Sequence, residues 1–231
     1  MTLLNISPFA ISRWGAFFNH FDLFFKGFLY TLGISFGALL LDLILGILSG
    51  GLSTSKSKVG KLISRIYVEV FQNTPLLVQM VFVYYGLAII SNGHVMISAF
   101  FTAVLCVGLY HGAYISEVIR SGIEAVPKGQ TEAALAQGFT ANQTMQLIIL
   151  PQAVRTILPP MTNQVVNLIK NTSTVAIISG ADIMFVAKAW AYDTTNYIPA
   201  FAGAAIFYFV ICFPLASWAR KQEELNKKTY S

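Results

Sequence analysis

Long apolar stretches alternate with short polar ones along this chain, and five of the apolar stretches are long enough to cross a bilayer. They cover about residues 27–52, 62–91, 97–119, 157–178 and 198–218, each at or above the roughly 20 residues that a spanning helix needs. The pattern predicts an all-α polytopic membrane protein of five transmembrane helices, with residues 1–231 forming a single transmembrane domain. One larger polar island, about 120–156, separates the third stretch from the fourth. Ahead of the first stretch, Arg13, Asp22 and Lys26 are mixed with Trp14, Phe17, Phe18, Phe24 and Phe25. That mixture reads as an amphipathic lead-in at the interface, since a cleaved signal peptide begins with a basic cluster and a short apolar core.

Composition strengthens this reading. The chain is 55% hydrophobic and 11% charged, against about 25% charged residues in soluble domains. Its formal charge of +5 is small and scattered, which argues against nucleic acid as a partner. The placement of charge is more informative. Lys56, Lys58, Lys61 and Arg65 follow the first stretch with no acid among them, and Arg220, Lys221, Lys227 and Lys228 follow the last. Under the positive-inside rule these ends are cytoplasmic, so five spans put the N-terminus outside and the C-terminus inside. Ser91–His94 and the Gly180–Tyr197 stretch, with Asp182, Lys188, Trp190, Tyr192 and Asp193, are then outer connections. Cys106 and Cys212 sit in apolar runs and read as free packing residues. Gly50–Ser57 approaches a phosphate-binding loop, but Ser55 stands where glycine is required and no strand precedes it. No cofactor or metal site is expected, and His94 reads as a solvated loop residue.

Polar residues inside the spans carry the candidate chemistry. Asp42 must face protein or water, or be protonated, because a carboxylate in lipid is costly; a buried, hydrogen-bonded Asp explains it as well as a substrate or proton role. Gly33, Gly37, Gly46 and Gly50 form small-xxx-small pairs that favour close helix contact. Pro75 predicts a kink in the second span, and Glu69, Gln72, Asn73 and Gln79 stand around it as polar lining for a path. His111, Tyr114 and Glu117 are three residues apart and share a helical face, either a polar interior or a cavity wall. Gln152, Arg155, Pro159 and Pro160 predict an interfacial entry into the fourth span. There Asn163, Asn167, Lys170 and Thr174 follow spacings of four, three and four, with Gln164 and Asn171 beside them. A cation inside a membrane is a functional candidate, and an amino-acid carboxylate is its natural partner.

In the polar island, Pro127 offers a helix start, with Lys128, Gly129 and Gln130 next and Glu132 early enough to meet the positive end of the dipole. Ala133, Ala134 and Ala136 leave a smooth face, Gly138 permits a turn, and Pro151 after Leu150 stiffens the return. The run Glu132-Ala133-Ala134, then Gly138, then Ile148-Ile149-Leu150-Pro151 resembles the cytoplasmic EAA loop of bacterial ABC-importer permeases. Asn73-Thr74-Pro75-Leu76-Leu77-Val78-Gln79 and Ser116-Glu117-Val118-Ile119-Arg120-Ser121-Gly122-Ile123 are similar to motifs of the polar amino-acid permeases in that group.

The resemblance implies a type I importer fold in the bacterial inner membrane, with no catalysis by this chain. Pro127, Lys128, Gly129, Glu132, Ala133, Ala134, Gly138, Leu150 and Pro151 are then the coupling element that docks on a separate ATPase subunit. A second permease subunit, identical or sister, and an extracytoplasmic substrate-binding protein complete the implied assembly. Gln79, Asn163, Gln164, Asn167, Lys170, Asn171 and Thr174 become the expected substrate path. Basic amino-acid permeases of the group often carry Asp where this chain has Asn171, so glutamate, aspartate or glutamine is the expected cargo and a basic amino acid the alternative. A membrane enzyme using Asp42, His111 and Glu117 has no supporting spacing. A channel or structural protein would explain five spans and leave the loop unexplained.

Overall fold

The computed structural model describes Ser7 and residues 10–230, except for the side chains of residues 223 and 225–230. Lys227 and Lys228, used above for topology, have their side chains outside the described part. Every regular element among the described residues is helical. Three helices are long and apolar enough to span alone, and two bent helix pairs bring the number to as many as five.

α1 (Ile11–Asn19) is a short helix before α2 (Phe21–Thr54). The first long helix therefore starts earlier than the expected residue 27, and the lead-in is split between α1 and the first turns of α2. α3 (Lys58–Gln72) begins behind Ser57, whose hydroxyl accepts from Gly60 N–H. The basic run expected in a loop is thus partly helical. α4 (Leu76–Val81), a π-helical turn (Phe82–Gly86) and α5 (Leu87–Ile90) continue on the far side of Pro75. The two halves meet at 96°, so the expected kink is a break. Proline lacks the N–H that would continue the ladder and pushes Thr74 out of the helical region.

α6 (Ala99–Glu124) is continuous. α7 (Lys128–Ala136) is the helix of the polar island. α8 (Ala141–Gln143) leads through a π-helical segment (Thr144–Ile149) into α9 (Leu150–Asn171). The π segment lies where the ring of Pro151 would crowd the carbonyl of Leu147, and widening the helix there accommodates it. Pro159 and Pro160, expected at the entry to the fourth span, both lie inside α9. A 3₁₀ stretch (Thr172–Ile178) ends at Ser179, φ 59°. The expected outer connection is mostly helix, α10 (Ile183–Thr194), and α11 (Tyr197–Tyr230) closes the chain.

Contacts divide the chain into two compact units. The first holds the described residues through Ala38, with Leu76–Val107 and Leu168–Pro214. Its core is aromatic: Phe17 packs on Phe24, ring centroids 4.7 Å apart, and Phe24 on Trp190 at 5.5 Å, with Ala187, Ala191, Ala200 and Ala204 filling the gaps. Asp182 is fully buried and caps α10, accepting from Met184 N–H at 3.1 Å and Phe185 N–H at 2.9 Å. Asp182 and Trp190 are therefore core residues, whereas Tyr192 and Tyr197 remain exposed. Arg13 Nη1 donates to Thr195 O and Asn196 Oδ1, both at 2.9 Å, tying α1 to the turn before α11.

The second unit holds Leu39–Pro75, Gly108–Asn167 and the chain from Leu215. Here α2 and α6 run parallel and very close. A Cβ on Gly46 would collide with Ile115, and one on Gly50 would lie 2.8 Å from Ile119 Cβ. Ser116 Oγ donates to Ser49 Oγ at 2.9 Å, and Ser49 shares a second bond with Ser64 at 2.8 Å. This buried hydroxyl chain joins α2, α3 and α6. Cys106 and Cys212 are free and buried. Asp42 is fully buried too, but the expected hydrogen bonding is not found. Among the described residues neither carboxylate oxygen has a hydrogen-bond partner of good geometry.

Candidate functional site

The polar island folds into α7, α8 and the π-helical segment that leads into α9. Pro127 is the N-cap residue of α7, in extended conformation with ψ 133°. Its carbonyl accepts from Gln130 N–H at 2.9 Å. Glu132 is the fifth residue of α7, with no acid in the first turn, so its expected position at the helix dipole is corrected. At the other end Gly138 N–H donates to Leu135 O at 3.0 Å, and Phe139 N–H to Ala134 O at 3.1 Å. With Gly138 at φ 88° this pair of bonds is a Schellman motif, which requires a left-handed residue at that one place.

α7 leans on the π segment, where Ala134 is buried with Thr144 and Ile149. Ala133, Ala136, Lys128, Gly129 and Glu132 stay exposed. The smooth alanine face is therefore corrected: Ala134 faces inward, and Leu135, an apolar side chain 49% exposed, stands in the open. Glu132 makes no hydrogen bond or ion pair among the described residues. Thr140 and Gln143 form a reciprocal capping box that restarts the helix. The spacing T-x-x-Q was the readable signal for it.

The polar residues of the fourth stretch separate by environment. Asn163, Asn167 and Lys170 are exposed, while Gln164 and Asn171 are partly covered. Thr174 falls in the 3₁₀ stretch, so the α-helical spacing that would align it with Lys170 does not hold. Gln79, Lys170, Asn171 and Thr174 belong to the first unit; Asn163, Gln164 and Asn167 to the second. Lys170 forms no ion pair among the described residues. It borders a cavity of about 290 Å3 with Met184, Phe201 and Tyr208.

In the second unit the His111, Tyr114 and Glu117 face divides. His111 is buried and shares a hydrogen bond with Gln164. Tyr114 and Glu117 border a cavity of about 390 Å3 with Gln72, Thr156 and Gln164. Asn73 Nδ2 donates to Glu69 Oε2 at 2.9 Å and Gln72 Nε2 to Ala113 O at 3.1 Å. The ion-pair cluster of Arg120 with Glu117 and Glu124 was not singled out from the sequence.

An exposed short helix in a chain that also carries membrane-length helices has a counterpart among known proteins. Residues 42–224 match the model of the family described as "binding-protein-dependent transport system inner membrane component". The chain belongs to that family. This permease is 34% identical over 213 residues to the probable glutamine ABC transporter permease protein GlnM of Bacillus subtilis (strain 168), covering 92% of this chain and 97% of the relative. It is 36% identical over 200 residues to the probable amino-acid ABC transporter permease protein PatM of Vibrio harveyi, covering 85% and 89%. A solved structure of an amino acid ABC transporter with histidines superposes with a TM-score of 0.84 at 31% identity, covering 91% of this chain and 97% of that one. The permease is thus the multi-pass membrane subunit of an amino-acid ABC transporter and not an enzyme in itself.

Proposed function

We propose that this permease carries polar amino acids inward, with glutamine the best-supported cargo, by alternating access driven through α7. In this reading α7 is cytoplasmic and sits in a groove of a separate ATPase subunit, the N-terminus is outside and the C-terminus inside. Two permease subunits, identical or sister, form the path, and a binding protein delivers the amino acid from outside. Closure of the ATPase pair moves the two α7 helices as rigid bodies and reopens the path on the other side.

The observation that carries this reading is α7 itself. Its C-terminal end is fixed by the Schellman pair at Gly138, yet it exposes Leu135 and leaves the Glu132 carboxylate without a partner among the described residues, as a docking helix does. Relatives named as glutamine permeases support the cargo, and so does Asn171, where an acid would favour a cation. Lys170 takes the substrate carboxylate, with Asn163, Gln164, Asn167, Asn171, Thr174 and Gln79 along the path. A basic amino acid is the second reading, favoured by the solved relative that contains histidines. Uptake of labelled glutamine in vesicles carrying the whole assembly, challenged with unlabelled amino acids, tests the choice. Competition by glutamine and glutamate supports it, and competition by arginine and histidine alone reverses it.

A further inference from the structure

A cavity of about 560 Å3 opens within the second unit, walled by α3 and the last turns of α6. This volume lies within the range of ligand pockets, about 300–1,000 Å3. None of its residues belongs to the coupling element or to the polar face of α9. Charges of both signs line it: Lys61, Arg65 and Glu69 from α3, Glu117 and Arg120 from α6.

These charges are not equally available. Arg120 is committed, with Nη2 2.7 Å and Nε 3.1 Å from Glu117 and Nη1 2.6 Å from Glu124. One guanidinium between two carboxylates leaves that cluster with one negative charge. Arg65 is 4.0 Å from Glu69 with its side chain 78% exposed, and Lys61 forms no ion pair among the described residues. The cavity therefore has a cationic pole at Lys61 and Arg65 and an anionic pole at Glu69 and the Glu117 cluster. Three cations stand against three carboxylates once Glu124 is included, so the whole is neutral but strongly dipolar. Such a wall gives a net ion no advantage and matches a molecule carrying one charge of each sign.

We propose that this cavity is a transit site for an amino-acid zwitterion, in addition to the Lys170 face. Arg65, with Lys61, holds the α-carboxylate through charge-assisted hydrogen bonds, and Glu69 and Glu117 hold the α-ammonium. Gln72 contributes to specificity. Its Nε2 gives one of its two hydrogens to Ala113 O, so Gln72 retains one N–H donor and its carbonyl acceptor, a pair that meets a ligand amide at both atoms, a second carboxylate only at the donor and a guanidinium only at the acceptor. The site therefore prefers glutamine to glutamate or arginine. This inference rests on the reading that a polar amino acid is the cargo.

The test is saturation-transfer NMR of L-glutamine, L-glutamate and L-arginine with the whole assembly in nanodiscs, without nucleotide. Wild type, Arg65→Gln and Glu69→Gln are compared. Both variants change exposed side chains and are checked for retained ATPase association. The expected result is glutamine binding by wild type, weakened at least tenfold in each variant, with glutamate and arginine weaker than glutamine. Absence of glutamine binding by wild type, or unchanged affinity in both variants, overturns the transit site and leaves the import reading standing. Failure of the wild-type assembly to take up any polar amino acid refutes the reading beneath it.

Discussion

Phe139 donates its backbone N–H to the carbonyl of Ala134 at 3.1 Å, across a Gly138 held at φ 88°. This contact ends α7 and sets where its exposed side chains stand. A residue with a Cβ is strained there by about 1–2 kcal/mol, and Asn tolerates the conformation best. Gly138→Val should therefore lower both stability and retention of the ATPase subunit, with Gly138→Asn between it and wild type. Thermal unfolding and co-purification of the same samples check the order.

Close packing of α2 on α6 gives a second prediction with a sign test. Gly46→Ala forces a methyl into Ile115 and should cost roughly 1–3 kcal/mol, as overpacking does. Gly51, on the same helix, has nothing within 4 Å of an added Cβ. Gly51→Ala should be neutral or stabilising by about 0.5–1 kcal/mol, because alanine is the better helix former. Unfolding temperatures in detergent that move the two variants together would contradict this packing account.

Lys170 makes no ion pair among the described residues, so its removal should spare the fold. Lys170→Ala is expected to abolish uptake while the ATPase subunit remains bound. Normal uptake by this variant would remove Lys170 from the substrate path.

Asp42 is buried without a side-chain hydrogen-bond partner among the described residues, so no bond from its carboxylate holds the helices together. Asp42→Asn should leave the unfolding temperature unchanged or higher and should retain uptake. Loss of uptake with an intact fold would assign Asp42 a role in transport.

The helices were legible in the sequence wherever periodicity and length decide, as in α2, α6 and α11. The turn that ends α7 was legible because Gly138 marks a left-handed backbone conformation, a local requirement, whereas the widened helix before Pro151 was not foreseen. Features that depend on distant partners were hidden. Asp182 and Trp190 read as surface residues because nothing in their neighbourhood reveals that Phe24 and Tyr208 cover them. Ala134 reads like Ala133 until the π segment is seen packed against it. The break at Pro75 was half visible: proline announces a lost hydrogen bond, but the 96° turn depends on what α3 and α4 pack against. The mixed-charge cavity escaped for the same reason, since Arg65 and Glu117 are far apart along the chain.

ATP-dependent accumulation of labelled glutamine in proteoliposomes tests the central claim most directly, with the permease supplied alone, with its ATPase subunit and binding protein, and with both in the Glu132→Ala background. Accumulation against a gradient should require the ATPase subunit and ATP, and should be lost in Glu132→Ala although that variant unfolds at the wild-type temperature. Uphill accumulation by the permease alone, or full activity of Glu132→Ala, would contradict transmission of force through α7.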